Sequence, residues 1–192
     1  MPEISDRPAP GSPASDHRLR PVREDDAAAV LEAFASAPDM ARQGEVTTLV
    51  QARRQVAWLL EPGRRAVAIV DARDRMVGLV AVSVDAEDLS GWFFYWLHAA
   101  HRGRGLAARA ALSVADRALT PSDEGGWGLE RLELGHRVNN PASGAVARAA
   151  GFVVEGLERG KLLVDGERLD VRTLGRLRSD PWPTLPGLPW RP

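Results

Sequence analysis

The apolar residues of this chain repeat with two periods, and the period switches along its length. "HRLRPV" (17–22) alternates and predicts a short first strand. "REDDAAAVLEAFASA" opens on acids and then carries Val30, Leu31 and Phe34 on one face. That predicts a helix whose acidic start suits the positive end of its dipole. A second helical stretch follows, with Val46, Leu49, Val50, Val56, Ala57 and Leu60 as its apolar stripe and "PGRR" (62–65) as its stop. "AVAIVDARDRMVGLVAVSV" reads as two β-rich runs about "DARDR", a hairpin-like unit. "GWFFYWL" (91–97) is a third strand of that group. Alternation puts Trp92, Phe94 and Trp96 on one face and Phe93 and Tyr95 on the other, so both faces need cover, as in a central strand.

The alanine-rich run after Gly105 predicts a helix with Leu106, Ala110 and Val114 on its buried face. "RLELGHRV" (131–138) alternates again, with Leu132, Leu134, His136 and Val138 on one face. "NNPASGAVARAAGF" carries the punctuation of a short helix: Asn140 as cap, Pro141 at the first position, Gly151 at the left-handed end. The last strands flank "DG" (165–166), a strong hairpin signal. The order β-α-α-β-β-β-α-β-α-β-β predicts an α/β or α+β domain with a partly antiparallel sheet.

Composition narrows the function. The chain has 192 residues, 44% hydrophobic and 27% charged, which suits one globular domain over 17–177. The tail 1–16, rich in Pro, Ser, Asp and Ala, is expected to be disordered. The tail 178–192 is Pro- and Trp-rich and excludes a regular helix or a central strand. Trp182 and Trp190 are its candidate anchors, against the alternative of a partner-binding motif. A net charge of −1 argues against a nucleic-acid partner, so any anion site must be a local cluster. There is no cysteine, hence no disulfide, thiolate metal site or cysteine nucleophile, and no metal is expected. No apolar run approaches the length of a membrane span and no signal pattern opens the chain, so no membrane partner and a cytoplasmic location are expected.

The chemistry concentrates in "HRGRGLAARAA" (101–111), between the aromatic strand and the alanine-rich helix. Free N–H groups at a helix start, glycines that let a ligand approach, and Arg102, Arg104 and Arg109 supply what a phosphate cradle needs. A plain strand-to-helix turn needs the same glycines. The P-loop is excluded because Lys161 is the only lysine, and the dinucleotide fingerprint fails for lack of a third glycine.

"RGRGLA" (102–107) resembles the acetyl-CoA signature [RQ]-x-x-G-x-[GA] of the GNAT superfamily of N-acetyltransferases. "NPASGAVARAAGF" (140–152), the "YWL" of 95–97 and the opening "LRPVREDDAAAV" are similar to the RimJ/RimL-type branch of that family. The resemblance covers roughly 17–177. It implies a GNAT-like mixed, mostly antiparallel sheet of about six to seven strands flanked by about four helices. It implies direct transfer of acetyl from acetyl-CoA to a primary amine, either a small molecule or a protein N-terminus, and it allows a homodimer. On the family's pattern, the backbone of Arg102, Gly103, Arg104, Gly105, Leu106 and Ala107 would hold the pyrophosphate. Main-chain groups of Leu97, His98 and Ala99 would meet the pantetheine and thioester. Asn140 would touch the pantetheine arm and Ser143 the sulfur, although each also reads as plain helix-start punctuation.

The sequence departs from that pattern where catalysis is concerned. The only tyrosine is Tyr95, so the late tyrosine that many members use as thiolate acid is missing, and the role would pass to Ser143 or water. Trp92 stands where many RimL-type members carry a glutamate. His136 is a replacement base or a core histidine; His98 is an alternative base, while His101 and His17 read as surface residues. The aromatic strand reads as core or as pocket wall. Two other functions remain consistent with these residues: a non-catalytic acyl-CoA-binding sensor or pseudoenzyme, and a small nucleotide-binding protein.

Overall fold

A computed structural model describes residues 16–191. The expected disordered tail, 1–16, lies outside the described residues except for Asp16. Seven strands form one sheet in the order β1-β2-β3-β4-β5-β7-β6. They are β1 (Arg18–Pro21), β2 (Arg64–Val70), β3 (Met76–Asp85), β4 (Ser90–Leu97), β5 (Arg131–Arg137), β6 (Val153–Val164) and β7 (Glu167–Leu177). Four α-helices flank it among the described residues: α1 (Ala27–Ala35), α2 (Leu49–Leu59), α3 (Leu106–Leu119) and α4 (Pro141–Ala149). All neighbouring strands are antiparallel except β4 and β5, whose parallel pairing covers only Ser90–Trp92 against Arg131–Glu133. Beyond Trp92 the two strands part.

Both faces of the sheet are covered, as the aromatic strand requires. Phe93 turns to one face, where it joins Leu132, Leu134, Phe152 and the buried side of α3. Trp96 turns to the other, against Val30, Phe34, Val56 and Leu59 of α1 and α2. Each such burial stabilises by roughly 1.5–3 kcal/mol. Local signals set the boundaries. Thr48 caps α2 through a reciprocal pair with Gln51. Asn140 accepts from the Ser143 N–H at 3.2 Å, with Pro141 opening α4 and Gly151 at φ +84° just past its end. Asp165 and Gly166 both take positive φ in the β6–β7 hairpin, as the two-residue turn demands.

Two sequence expectations fail in detail. The second helix starts at Thr48, so Val46 is buried ahead of it, and the helix packs on α1 through Ala52, Val56 and Leu59. Leu49, Val50 and Leu60 of the expected stripe are exposed, Val50 at 57%. Of the expected stripe, only Val46 and Val56 are buried, because the Thr48 cap and the facing α1 set which side of the helix turns inward. The strand of 131–138 ends at Arg137, and Val138 is exposed.

The Pro/Trp-rich tail folds back on the body. Leu188 is buried in the larger core, and Trp190 forms an isolated bridge with Leu19 on the edge strand β1. Arg109 donates to the carbonyls of Pro186 and Gly187, and Ser113 to that of Leu188. Arg117 lies 4.5 Å over the Trp190 ring, and Arg191 pairs with Asp74 at 2.5 Å. Among the described residues no helix is long and apolar enough to cross a membrane.

Candidate active site

The site begins with an unpaired strand edge. The His98 N–H bonds Val77 at 2.8 Å, and the β3–β4 register pairs Leu97 with Gly78 and Tyr95 with Val80. An antiparallel ladder alternates, so Leu97 and Tyr95 turn their N–H and C=O groups away from β3, toward the gap left by β5. The parting of β4 and β5 thus exposes main-chain donors inside a buried sheet.

The loop after β4 supplies a second set. Gly103 and Gly105 have φ of +75° and +70°, and a Cβ added at either would meet nothing within 4 Å. These glycines are therefore required by their backbone conformation and face open space, not a packed neighbour. Gly105 immediately precedes α3, and the first helical bond back into the loop runs from the Arg109 N–H to the Gly105 carbonyl at 3.0 Å. The N–H groups ahead of Arg109 are the orphans of a helix start, at the positive end of a 14-residue helix.

The three arginines of this loop do different jobs. Arg102 donates from Nη1 to both carboxylate oxygens of Asp39 at 3.0 and 2.9 Å, from Nη2 to the Met40 sulfur, and from Nε to the Leu97 carbonyl. Arg109 is spent on the C-terminal tail. Arg104 is exposed and takes part in none of the ion pairs among the described residues.

Two cavities meet at the gap. The first, about 460 Å³, runs between the loop, the start of α3 and α4; Leu97, Gly103, Gly105, Leu106 and Ala107 line it. The second, about 340 Å³, lies between β4, β5 and the β6–β7 hairpin; Trp92, Phe94, His136, Arg137 and Lys161 line it. Tyr95, Asn140, Ser143, Arg42 and Gln43 line both. At the junction the Tyr95 hydroxyl donates to the Ser143 carbonyl at 2.8 Å and lies 2.8 Å from Ser143 Oγ. Burial pushes the Tyr95 phenol up to about 12, against the opposing bond from Ser143.

His136 sits on the buried face of β5 at 7% exposure. Its Nδ1 lies 2.9 Å from the Arg137 carbonyl, which can only accept, so Nδ1 carries the proton and Nε2 the lone pair. Nε2 is buried without a hydrogen-bond partner. A Cβ at Gly144 would come within 2.9 Å of it, so the glycine lets α4 settle on the imidazole. Trp96, on the wall of the first cavity, also has a buried ring nitrogen without a partner.

Of the residues singled out in the sequence, Leu97, Arg102, Gly103, Gly105, Leu106, Ala107, Asn140, Ser143 and Tyr95 come together around the first cavity. His136 is brought to the second. His98, Ala99 and Arg104 do not line either cavity. The His98 N–H is spent on Val77, and the Ala99 N–H on Ser36 Oγ at 3.0 Å. His98 is half-buried and its Nδ1 accepts from the Ala100 N–H. Burial first, then the charges of Arg75 and Arg102, hold its imidazole below the ordinary histidine range. His101 and His17 are half-buried rather than plain surface residues, with ring nitrogens 3.2 Å apart. Sequence reasoning missed the wall made by the 3-10 turn Pro38–Gln43, which brings Asp39, Met40, Arg42 and Gln43 to the first cavity. No periodicity marks that stretch; only the Pro38 and Gly44 punctuation and an unplaced Met40 hinted at it.

Among curated proteins none matches the sequence at a significant level. The fold is shared with solved acetyltransferases. The ribosomal-protein-S5-alanine acetyltransferase from Vibrio fischeri is 20% identical, with a TM-score of 0.72 over 88% of this chain and 96% of that one. The ribosomal L7/L12 alpha-N-protein acetyltransferase RimL in complex with coenzyme A is 24% identical, TM-score 0.71, over 86% and 96%. A chimera of the spermidine N-acetyltransferase SpeG from Vibrio cholerae is 20% identical, TM-score 0.70, over 86% and 97%. Residues 17–153 match the model of the acetyltransferase (GNAT) domain, and this chain, with its parted β4–β5 edge and glycine-capped α3, belongs to that family of acyltransferases.

Proposed function

We propose that this acetyltransferase takes acetyl-CoA in the first cavity, an amine in the second, and passes the acetyl group directly between them. The observation that carries this reading is the parted β4 edge: the Leu97 N–H opens on the gap where the two cavities share Tyr95 and Ser143. The orphan N–H groups from Gly103 to Ala108 suit a pyrophosphate, because the helix start offers several donors and a positive dipole end without a side-chain charge. The Leu97 N–H is the donor for the acyl oxygen. Asn140 spends its carboxamide oxygen as the cap of α4, which leaves its NH₂ for the pantetheine arm.

The bound thioester supplies an activated acyl group; the chain supplies placement and proton handling. The amine must be neutral to attack. His136 accepts its proton at Nε2, because its Nδ1 is already pinned to Arg137; Nε2 lies buried against Gly144, so the ring must turn out toward the second cavity to reach the amine. Tyr95 is a poor proton source. A phenol held near 12 would give its proton to a thiolate whose acid ordinarily titrates near 8.5, an uphill step of about 5 kcal/mol. Tyr95, whose hydroxyl proton goes to the Ser143 carbonyl, therefore positions Ser143; the Ser143 hydroxyl hydrogen-bonds the departing sulfur, and the proton that neutralises it comes from the amine. The acceptor is a primary amine; similar structures include enzymes named for spermidine and for ribosomal protein N-termini.

Calorimetric titration with acetyl-CoA tests the donor site, with ATP and the Gly105→Asp protein as controls. Micromolar binding to the wild type alone is expected. Equal binding to Gly105→Asp, within about threefold, would remove the loop from the site.

A further inference from the structure

The second cavity has a one-sided charge. Its ionisable walls are Arg42, Arg137, Lys161 and His136, and no aspartate or glutamate lines it. The acids nearby are already engaged. Glu158 is paired with Lys161 at 2.5 Å, and Asp39 is held by Arg102. Glu133 and Glu155 are both bound by Arg131, at the closed end of the β4–β5 pair. Asp170 accepts from the Gly160 N–H at 2.7 Å and keeps its charge, but it does not line the cavity. No ion pair engages Arg42 or Arg137 among the described residues. Arg42 is exposed at the rim and Arg137 half-buried beside His136. The rest of the lining is apolar or aromatic, notably Trp92, Phe94, Leu162 and Val171.

A polycationic amine entering this cavity would bring its spare charges against unpaired guanidinium groups with no carboxylate to receive them, and like charges at close range repel. An amine that also carries a carboxylate meets the opposite situation. A guanidinium takes a carboxylate in a two-pronged pair, and such pairs fix orientation as well as strength. Anchoring the carboxylate on Arg137 or Arg42 leaves the amine to face His136 and the Leu97 edge, while the apolar body lies on Trp92 and Phe94.

We propose that the acceptor is a small amine bearing a carboxylate and an apolar body, with Arg42 and Arg137 as the residues that select it. This rests on the acetyl-transfer reading above and deepens it. A free amino acid and the N-terminus of an acidic peptide share this chemistry.

The test follows thiol release from acetyl-CoA with matched acceptors: L-phenylalanine, phenethylamine (the same body without the carboxylate) and spermidine. Two peptide amides, seryl-aspartyl-glutamate and seryl-lysyl-arginine, separate the peptide source from the free amino acid. A kcat/KM at least tenfold higher for L-phenylalanine than for phenethylamine, or for the acidic peptide than for the basic one, is expected. That ratio should collapse toward unity in Arg137→Ala and Arg42→Ala, mainly through KM, and return in Arg137→Lys. Absence of the preference in both pairs, or turnover of spermidine equal to or better than that of the best carboxylate-bearing acceptor, overturns the proposal. So does a ratio unchanged in both alanine variants. Failure of every carboxylate-bearing acceptor also overturns it, and the acetyl-CoA titration then decides separately whether the donor site falls too.

Discussion

The two joined cavities are built from different parts of the polypeptide. The first draws on backbone: N–H groups at the start of α3, a glycine loop at positive φ, and the open edge of β4. The second draws on side chains contributed by β4, β5, β6, β7 and the turn before α2. A backbone site recognises a group common to every reaction of this kind and tolerates most side-chain changes, provided the glycines stay. A side-chain site chooses among partners and can be altered one residue at a time. On the proposed reading the main-chain donors for acetyl-CoA lie close together in sequence, although the cavity around them is walled from Asp39 to Val146, whereas the acceptor cavity is spread across about 130 residues, from Arg42 to Val171.

The comparison can be broken at four points. The largest effect is expected from Gly105→Asp, which puts a carboxylate where an anion is to bind. Acetyl-CoA affinity should fall at least a hundredfold, about 2.8 kcal/mol, by calorimetry, and the thermal midpoint should drop modestly, because a side chain at φ +70° strains the backbone. Next is His136→Ala. Turnover should drop on the order of a hundredfold while acetyl-CoA affinity stays within a few fold, and the pH–rate profile should lose the limb of a titrating imidazole. An unchanged profile would return His136 to the core. Third is Tyr95→Phe at the junction, where losing the hydroxyl that positions Ser143 should cost about tenfold in kcat and little in KM.

The smallest effect lies outside both cavities. Asp74 is drawn down to about 2 by bonds from Arg191, first, and from Arg20 and Arg23. A carboxylate lowered in the folded state stabilises above its unfolded value near 3.9, and that contribution disappears as pH falls from there toward 2. Asp74→Asn should therefore lower the wild-type thermal midpoint slightly at pH 7. The difference should shrink below pH 4 and leave acetyl-CoA binding intact, since the tail that Arg191 fastens lies behind α3. A pH-independent difference would detach the effect from this carboxylate.

Local signals were legible because their causes are local. Asn140, Pro141 and Gly151 bounded α4, Asp165 and Gly166 turned the last hairpin, and Gly103 and Gly105 marked the loop, each through preferences of one or two residues. The apolar stripe of α2 was misjudged because its phase depends on where Thr48 caps the helix and on which face α1 offers. The three loop arginines looked equivalent in the sequence, yet two are consumed by partners about 60 and 80 residues away, Asp39 and the tail carbonyls.

By itself the sequence determined the alternation of strands and helices, the glycine cradle ahead of α3 and the resemblance that carries the family. Each is written in spacing along the chain. Only the tertiary structure decided that β4 and β5 part after Trp92, that Leu97 keeps its N–H for the gap while those of His98 and Ala99 are spent, and that Arg42 and Arg137 share a cavity free of acids. Those outcomes depend on which segments meet across the sheet, and strand pairing and burial are settled by contacts between distant residues.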